Sequence, residues 1–245
     1  MFLYTHGIIS SSSEVVIPYS NTKSIELDGI SDHIDCGNPS SLRITGTLSI
    51  SAWFKTSSTS TQMIVGKDKI TNSLGTSRNY MLFYSSSANS IRFTNFKNQG
   101  TNENVTATTD VSDGDWHHVL AVNDGSDMKI YIDGILEATN IGGGGSIQNT
   151  TSTTNFYIGQ REGNTQNRGF WNGNLDEIAV WNNDQSGNLS SIYSSSGAVD
   201  LTSLNPVSYW RMGDGDSHPN IYDSVGSNDG EMKNMTSANI VSDTP

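Results

Sequence analysis

The stretch from Asp115 to Ala138, DWHHVLAVNDGSDMKIYIDGILEA, constrains the fold more than any other part of the chain. It reads as three short strands, Trp116 to Val122, Met128 to Ile132 and Ile135 to Ala138, with turn residues at Asn123-Asp124-Gly125 and Asp133-Gly134. Such turn residues between β-rich runs are the strongest short-range signal for antiparallel hairpins, because they accept the positive φ angles that tight turns need. Side chains alternate along a strand, so Trp116, His118, Leu120 and Val122 share one face while His117, Val119 and Ala121 share the other. Both faces are largely apolar. The strand therefore belongs inside a sandwich, covered on both sides.

The rest of the chain keeps the same rhythm. Short strands are expected at Ser24 to Asp28, His33 to Cys36, Leu48 to Lys55, Met63 to Gly66, Tyr80 to Tyr84, Ile91 to Thr94 and Val105 to Thr108. Further strands are expected at Phe156 to Ile158, Leu175 to Trp181, Val207 to Met212 and Gly230 to Lys233, with one turn of helix at Leu189 to Tyr193. In LSISAWFK, Leu48, Ile50, Ala52 and Phe54 share a face and Trp53 looks the other way. Many short strands separated by turn signals define an all-β, antiparallel two-sheet sandwich of the jelly-roll kind. Four successive glycines, Gly142 to Gly145, suit no strand interior, so 139–154 reads as an exposed flexible loop.

At 245 residues the chain fits one large all-β domain over 23–245, preceded by an arm at 1–22 whose apolar patches at Phe2 to Tyr4 and Val15 to Ile17 suit packing on the body or on a neighbour. Hydrophobic residues make up only 33%, but nine Tyr, seven Phe and five Trp supply large buried areas, and a sandwich needs only alternate positions apolar. A formal net charge of -12 repels phosphate backbones and anionic lipid, which excludes nucleic acid as a partner. The single cysteine, Cys36, cannot form an internal disulfide and reads as a buried thiol. The first residues lack the basic and apolar regions of a secretory signal, and no apolar run reaches the roughly 18 residues of a membrane helix.

Four segments together resemble the LamG-like, concanavalin A-like lectin and glucanase jelly-roll family: IELDGISDHIDCG (25–37), LSISAWFK (48–55), DGDWHHVLAVNDGSDMKIYIDG (113–134) and FWNGNLDEIAVWN (170–182). The resemblance implies two antiparallel sheets packed face to face, often with structural calcium, used in glycan or protein recognition. SYWRMGDG (208–215) and DSVGSNDGEM (223–232) are similar to a segment that the family often places ahead of its first strand; here it follows the last, as a C-terminal segment returning to the sandwich. The chain is also similar to LamG-like virion structural proteins of marine bacteriophages. That likeness implies a noncatalytic protein of the virion surface, a capsid decoration or tail appendage, oligomeric on the particle and bound to glycan or to neighbouring virion subunits.

Three chemistries compete. The glucanases of this fold resemble one another in a strand motif that sets carboxylates on one face, as retaining hydrolysis requires. Glu26-Leu27-Asp28 begins that pattern, and Ile30 and Ser31 break it where the second glutamate belongs, which leaves a degenerate hydrolase as the third reading. For calcium, the resemblance brings Asp28, Asp176 and Asp223 to one edge; each could equally cap a turn through its own backbone. A free calcium-dependent, lectin-like module, extracellular rather than on a virion, is the second reading. For glycan, Arg161, Gln166, Arg168, Phe170 and Trp171 supply rings, an amide and guanidinium groups on one loop, although FWNG also resembles a structural run in which Phe170 or Trp171 is core. His117 and His118, adjacent on a strand, point to opposite faces and cannot readily share a metal ion.

Overall fold

The computed structural model describes residues 19–69, 78–97, 101–149, 154–163 and 169–245, so the expected arm enters only from Tyr19. In chain order the strands are β1 (Ser24–Asp28), β2 (His33–Asp35), β3 (Leu48–Lys55), β4 (Gln62–Asp68), β5 (Arg78–Ser85), β6 (Ser90–Phe96) and β7 (Asn102–Thr106). The central meander follows as β8 (Trp116–Asn123), β9 (Met128–Ile132) and β10 (Ile135–Asn140). Then come β11 (Tyr157–Ile158), β12 (Asn172–Trp181), the helical turn α1 (Leu189–Ile192), β13 (Ser208–Trp210), β14 (Asn220–Ile221), β15 (Gly230–Lys233) and β16 (Ile240–Val241). They build two eight-stranded sheets. The first runs β10-β9-β8-β3-β12-β1-β16 with β13 also on β12, and the second runs β14-β15-β2-β11-β4-β5-β6-β7. The C-terminal segment thus contributes strands to both sheets.

The expected turn chemistry closes the β9–β10 hairpin. Ile132 faces Ile135, and the two residues between them, Asp133 and Gly134, hold φ angles of 48° and 76°. A side chain at Gly134 would also meet a ring, since its Cβ would stand 2.6 Å from Tyr193 Cδ1. Alternation then sorts the side chains. Ile50, Ala52 and Phe54 of β3 and Val119 and Ala121 of β8 enter the core between the sheets, each fully buried. Burying a side chain the size of Ile50 or Phe54 contributes about 2 kcal/mol. On the other side of the first sheet, Leu120, Val122, Tyr131, Ala179, Trp181 and Tyr209 pack under Ile192 and Leu201. β8 is covered on both faces, as its sequence requires.

The paired histidines of β8 meet opposite environments. His118 is fully buried, 2.8 Å from Ser51 Oγ through Nε2 and packed against Trp53 and Tyr193, and burial pushes its pKa down to about 3. His117 reaches Asp133 at 2.7 Å and Asp113 at 3.2 Å, and the hydrogen bond to Asp133 leads in raising its pKa.

The tetraglycine region differs from the expected exposed loop. Thr139 and Asn140 belong to β10, Gly144 N–H donates to Ser126 O at 2.8 Å, and Gly145 N–H donates to Asn123 Oδ1 at 3.0 Å. Ile147 then enters the core at 3% exposure. The glycines serve close backbone approach to the β8–β9 turn, a packing demand that composition alone does not reveal.

Candidate functional site

The outer face of the second sheet carries the candidate site, and β5 creates it. The run Tyr80–Tyr84 is apolar on both faces: Tyr80, Leu82 and Tyr84 enter the core, while Met81 and Phe83 turn outward. Met63 of β4 and Phe96 of β6 join them in a separate apolar cluster, each side chain buried. Among the described residues three arginines rim it. The Arg78 guanidinium lies 3.8 Å above the Phe96 ring, and that of Arg92 lies 6.0 Å from Phe83. Arg161 lies across Gly66, whose bare backbone leaves the room, and its Nη1 stands 3.8 Å from Met81 Sδ. Asp68 is buried between Arg78, at 2.6 Å, and Arg161, at 3.5 Å.

Along the same face toward β2 the surface becomes aromatic and polar. His33 meets Tyr157 edge-on at 5.7 Å between ring centres and Phe170 at 6.0 Å. Asp35, whose Cα faces Tyr157 across the pairing, accepts from Gly37 N at 2.8 Å and from Asn155 Nδ2 at 2.9 Å. Beyond it on β15, Lys233 and Glu231 pair at 2.7 Å. Tyr157 and Phe170 are half-buried. Partly exposed rings beside guanidinium, carboxylate and amide groups can stack on the apolar face of a sugar ring while satisfying its hydroxyls.

Of the loop residues expected to bind ligand, Arg161 and Phe170 lie on this face. Trp171 does not. It is fully buried between the sheets, edge-on to Phe54 at 5.9 Å, and its ring is unavailable for stacking: the chain alternates there, so Trp171 turns inward as Phe170 turns out. Gln166 and Arg168 fall outside the described residues. Sequence reasoning missed His33, Asp35, Asp68, Arg78, Arg92 and Tyr157. The available signal was YMLFY on β5, since an apolar strand needs something on both faces.

The aspartates considered for calcium do not gather. Asp28 accepts from the backbone N–H groups of Ile30, Ser31 and Asp32, and Asp223 from those of Tyr209, Val225, Gly226 and Asn228. Both are turn caps, the bland alternative. Asp176 differs, because it is fully buried beside Glu177, whose φ of 48° marks an irregularity in the β12–β3 pairing. Asn21 Nδ2 donates to Asp176 at 2.8 Å, Tyr209 donates to Glu177, and Arg211 Nε lies 3.5 Å from Glu177. Burial pushes both carboxyls up, Glu177 to about 7. Among the described residues no three His, Cys, Asp or Glu side chains converge to hold a metal. The three aspartates therefore do not fit a common calcium cage.

Glu26, which opens the broken hydrolase pattern, belongs to β1 of the first sheet, whereas the arginine-rimmed face belongs to the second. Glu26 lines a groove of about 220 Å³ on the first sheet with Lys55, Asn172 and Asn174.

The family model described as the concanavalin A-like lectin/glucanases superfamily matches residues 28–188, well over half of the chain. The chain belongs to this superfamily. Among solved structures of the same fold, a candidate carbohydrate-binding protein of Bacteroides ovatus ATCC 8483 aligns with a TM-score of 0.67 at 17% identity, over 93% of this chain and 61% of that one. This superfamily member thus spans less than two thirds of the Bacteroides protein. The CBM40 of the Ruminococcus gnavus IT-sialidase, bound to α2,3-sialyllactose, aligns with a TM-score of 0.56 at 15% identity, over 68% of this chain and 93% of that one. Likeness at such identities bears on fold alone. No curated protein matches the sequence.

Proposed function

We propose that this protein is a noncatalytic glycan-binding module whose recognition surface is the outer face of the second sheet. The observation that carries the reading is the gathering of Tyr157, Phe170 and His33 beside Asp35, with Arg161 over Gly66, the residue that Tyr157 pairs with, on the same sheet face. The fold relatives that bind or are described as binding carbohydrate lend support. A noncatalytic role is favoured because the carboxylates of this face are committed: Asp68 to Arg78 and Arg161, Glu231 to Lys233, Glu162 to Lys69, and Asp35 to Gly37 and Asn155. Among the described residues of this face none is left as the free pair, about 5 Å apart, that retaining hydrolysis needs.

Glycan-array screening of the whole chain, followed by titration of the best ligand, tests the reading. Tyr157→Ala and Phe170→Ala should each weaken binding at least tenfold with the fold intact by circular dichroism. Unchanged affinity in both variants would move the site elsewhere. Release of reducing ends from the bound glycan would make the protein an enzyme. The bacteriophage-virion setting, with oligomers on the particle, rests on the sequence resemblance, and copurification with particles tests it.

A further inference from the structure

The first sheet carries a polar groove of its own, built by strand register. Glu26 of β1 stands opposite Asn174 of β12, Asn174 opposite Lys55 of β3, and Lys55 opposite Trp116 of β8. Their chain neighbours Ile25, Leu27, Leu175 and Phe54 belong to the core, so by alternation the row of Glu26, Asn174 and Lys55 faces outward. Side chains directly opposite in an antiparallel pair stand about 5 Å apart. Together with Thr56, Ser57 and Asn172 these three line one groove of about 220 Å³, within reach of a single small ligand.

Hydrogen bonding divides the groove into committed and unused groups. Lys55 is held by one oxygen of Asp243 at 2.9 Å, and the other oxygen of Asp243 accepts from Trp116 Nε1 at 2.9 Å. Thr56 donates to Asn172 O at 2.7 Å, and Asn174 Nδ2 donates to Ser24 Oγ at 3.1 Å. Asp28, opposite Asn172, is taken by the backbone N–H groups of Ile30, Ser31 and Asp32. Glu26 is exposed, and among the described residues its carboxylate takes no hydrogen bond and no ion pair. The side-chain amide of Asn172 and the Oδ1 of Asn174 are unused in the same way. With Lys55 neutralised by Asp243, Glu26 leaves the groove one negative charge, and the exposed Asp115 beyond Gly114 and the chain's net charge of -12 have the same sign.

Unused acceptors beside an unpaired carboxylate match a cationic donor such as a primary ammonium, whose three N–H groups it can engage. Among the described residues no lining side chain is apolar, so the alkyl stem of a lysine would pack against nothing, whereas sugar hydroxyls would meet Asn172, Asn174 and Ser57. The volume lies below the roughly 300–1,000 Å³ of sites that enclose a drug-sized ligand, which suits one sugar unit.

We propose that this groove binds a sugar unit carrying a free amino group, with Glu26 holding the ammonium and Asn172 and Asn174 the neighbouring hydroxyls. The site is separate from the aromatic face of the second sheet and does not depend on the reading of that face.

Calorimetry at pH 6 with glucosamine oligosaccharides and with their N-acetylated counterparts, at 50 and at 300 mM sodium chloride, tests it. The amine should bind at least tenfold more tightly at low salt, with the margin narrowing at high salt. Glu26→Gln should bring the ratio of the two affinities close to one, and Asn172→Ala should weaken amine binding, with melting curves as the folding control. Asp200→Asn, which neutralises an exposed carboxylate bonded to Thr202 N, should keep the preference. Equal affinity for the two sugars, or binding of neither, would overturn the inference. So would a preference that survives Glu26→Gln, or one that Asp200→Asn erodes as far, since the attraction would then belong to the overall charge. Each of these results leaves the aromatic face to its own test.

Discussion

His118 should give the protein a specific acid sensitivity that one substitution removes. Its ring is fully enclosed among Trp53, Tyr193 and Ser51, and burial lowers its pKa from 6.5 to about 3. Between those values the unfolded chain binds the proton and the folded chain does not, so stability falls as pH drops below about 6.5. At about 1.4 kcal/mol per unit, this one histidine costs the fold about 3 kcal/mol between pH 7 and pH 4. His118→Gln cannot titrate. It should be the less stable protein at pH 7, where the aromatic contacts are missed, and should then lose about 3 kcal/mol less than the wild type on going to pH 4. Urea unfolding followed by tryptophan fluorescence at pH 4, 5, 6 and 7 reads this as a closing gap between the two proteins, with other titrating groups cancelling in the difference. A gap that stays constant across that range would refute the assignment of a neutral, desolvated ring.

His117 should behave oppositely: Asp133 and Asp113 raise its pKa, so its contribution is present below about 6.5 and is lost as pH rises through the raised value. Proton NMR of the ring should place its midpoint above 6.5, and Asp133→Asn should lower it. Trp171→Ala should cost about 3–5 kcal/mol in thermal or urea unfolding, whereas Phe170→Ala, at the half-buried rim, should cost less than half as much. Of the three aspartates proposed for calcium, Asp176 is the one that is not a turn cap, and burial raises its pKa, so a bound cation would have to displace its proton. Calcium added to chelator-treated protein should then raise the melting temperature of the wild type and leave Asp176→Asn unmoved; an unmoved wild type would remove calcium from the description.

The sandwich was legible because its strands obey alternation. LSISAWFK and WHHVLAVN place every side chain on the face that the period-two pattern assigns. The pattern fell short where burial depends on distant partners. β4 extends to Lys67 and Asp68, both wholly buried, because Lys67 Nζ reaches Asn38 Oδ1 and Thr154 O at 2.8 Å and Asp68 meets Arg78. Polar residues so placed read locally as the end of a strand. The site was half legible for a related reason: Arg161 and Phe170 announce themselves on one loop, but Arg78, Arg92, Tyr157 and His33 come from strands that only the pairing order places on one surface. Asp28 and Asp223 look like metal ligands in one dimension and are turn caps in three.

The way the two ends of the sandwich are tied has its own consequence. Ser24 pairs with Val241 at the margin of the first sheet, Thr22 is bonded to Asp214, and Lys55 holds Asp243 at 2.9 Å. Both ties therefore belong to the first sheet, whereas Tyr157 stands on the second. Losing either tie should therefore fray the first sheet and leave β11, with the Tyr157 ring, seated in the second.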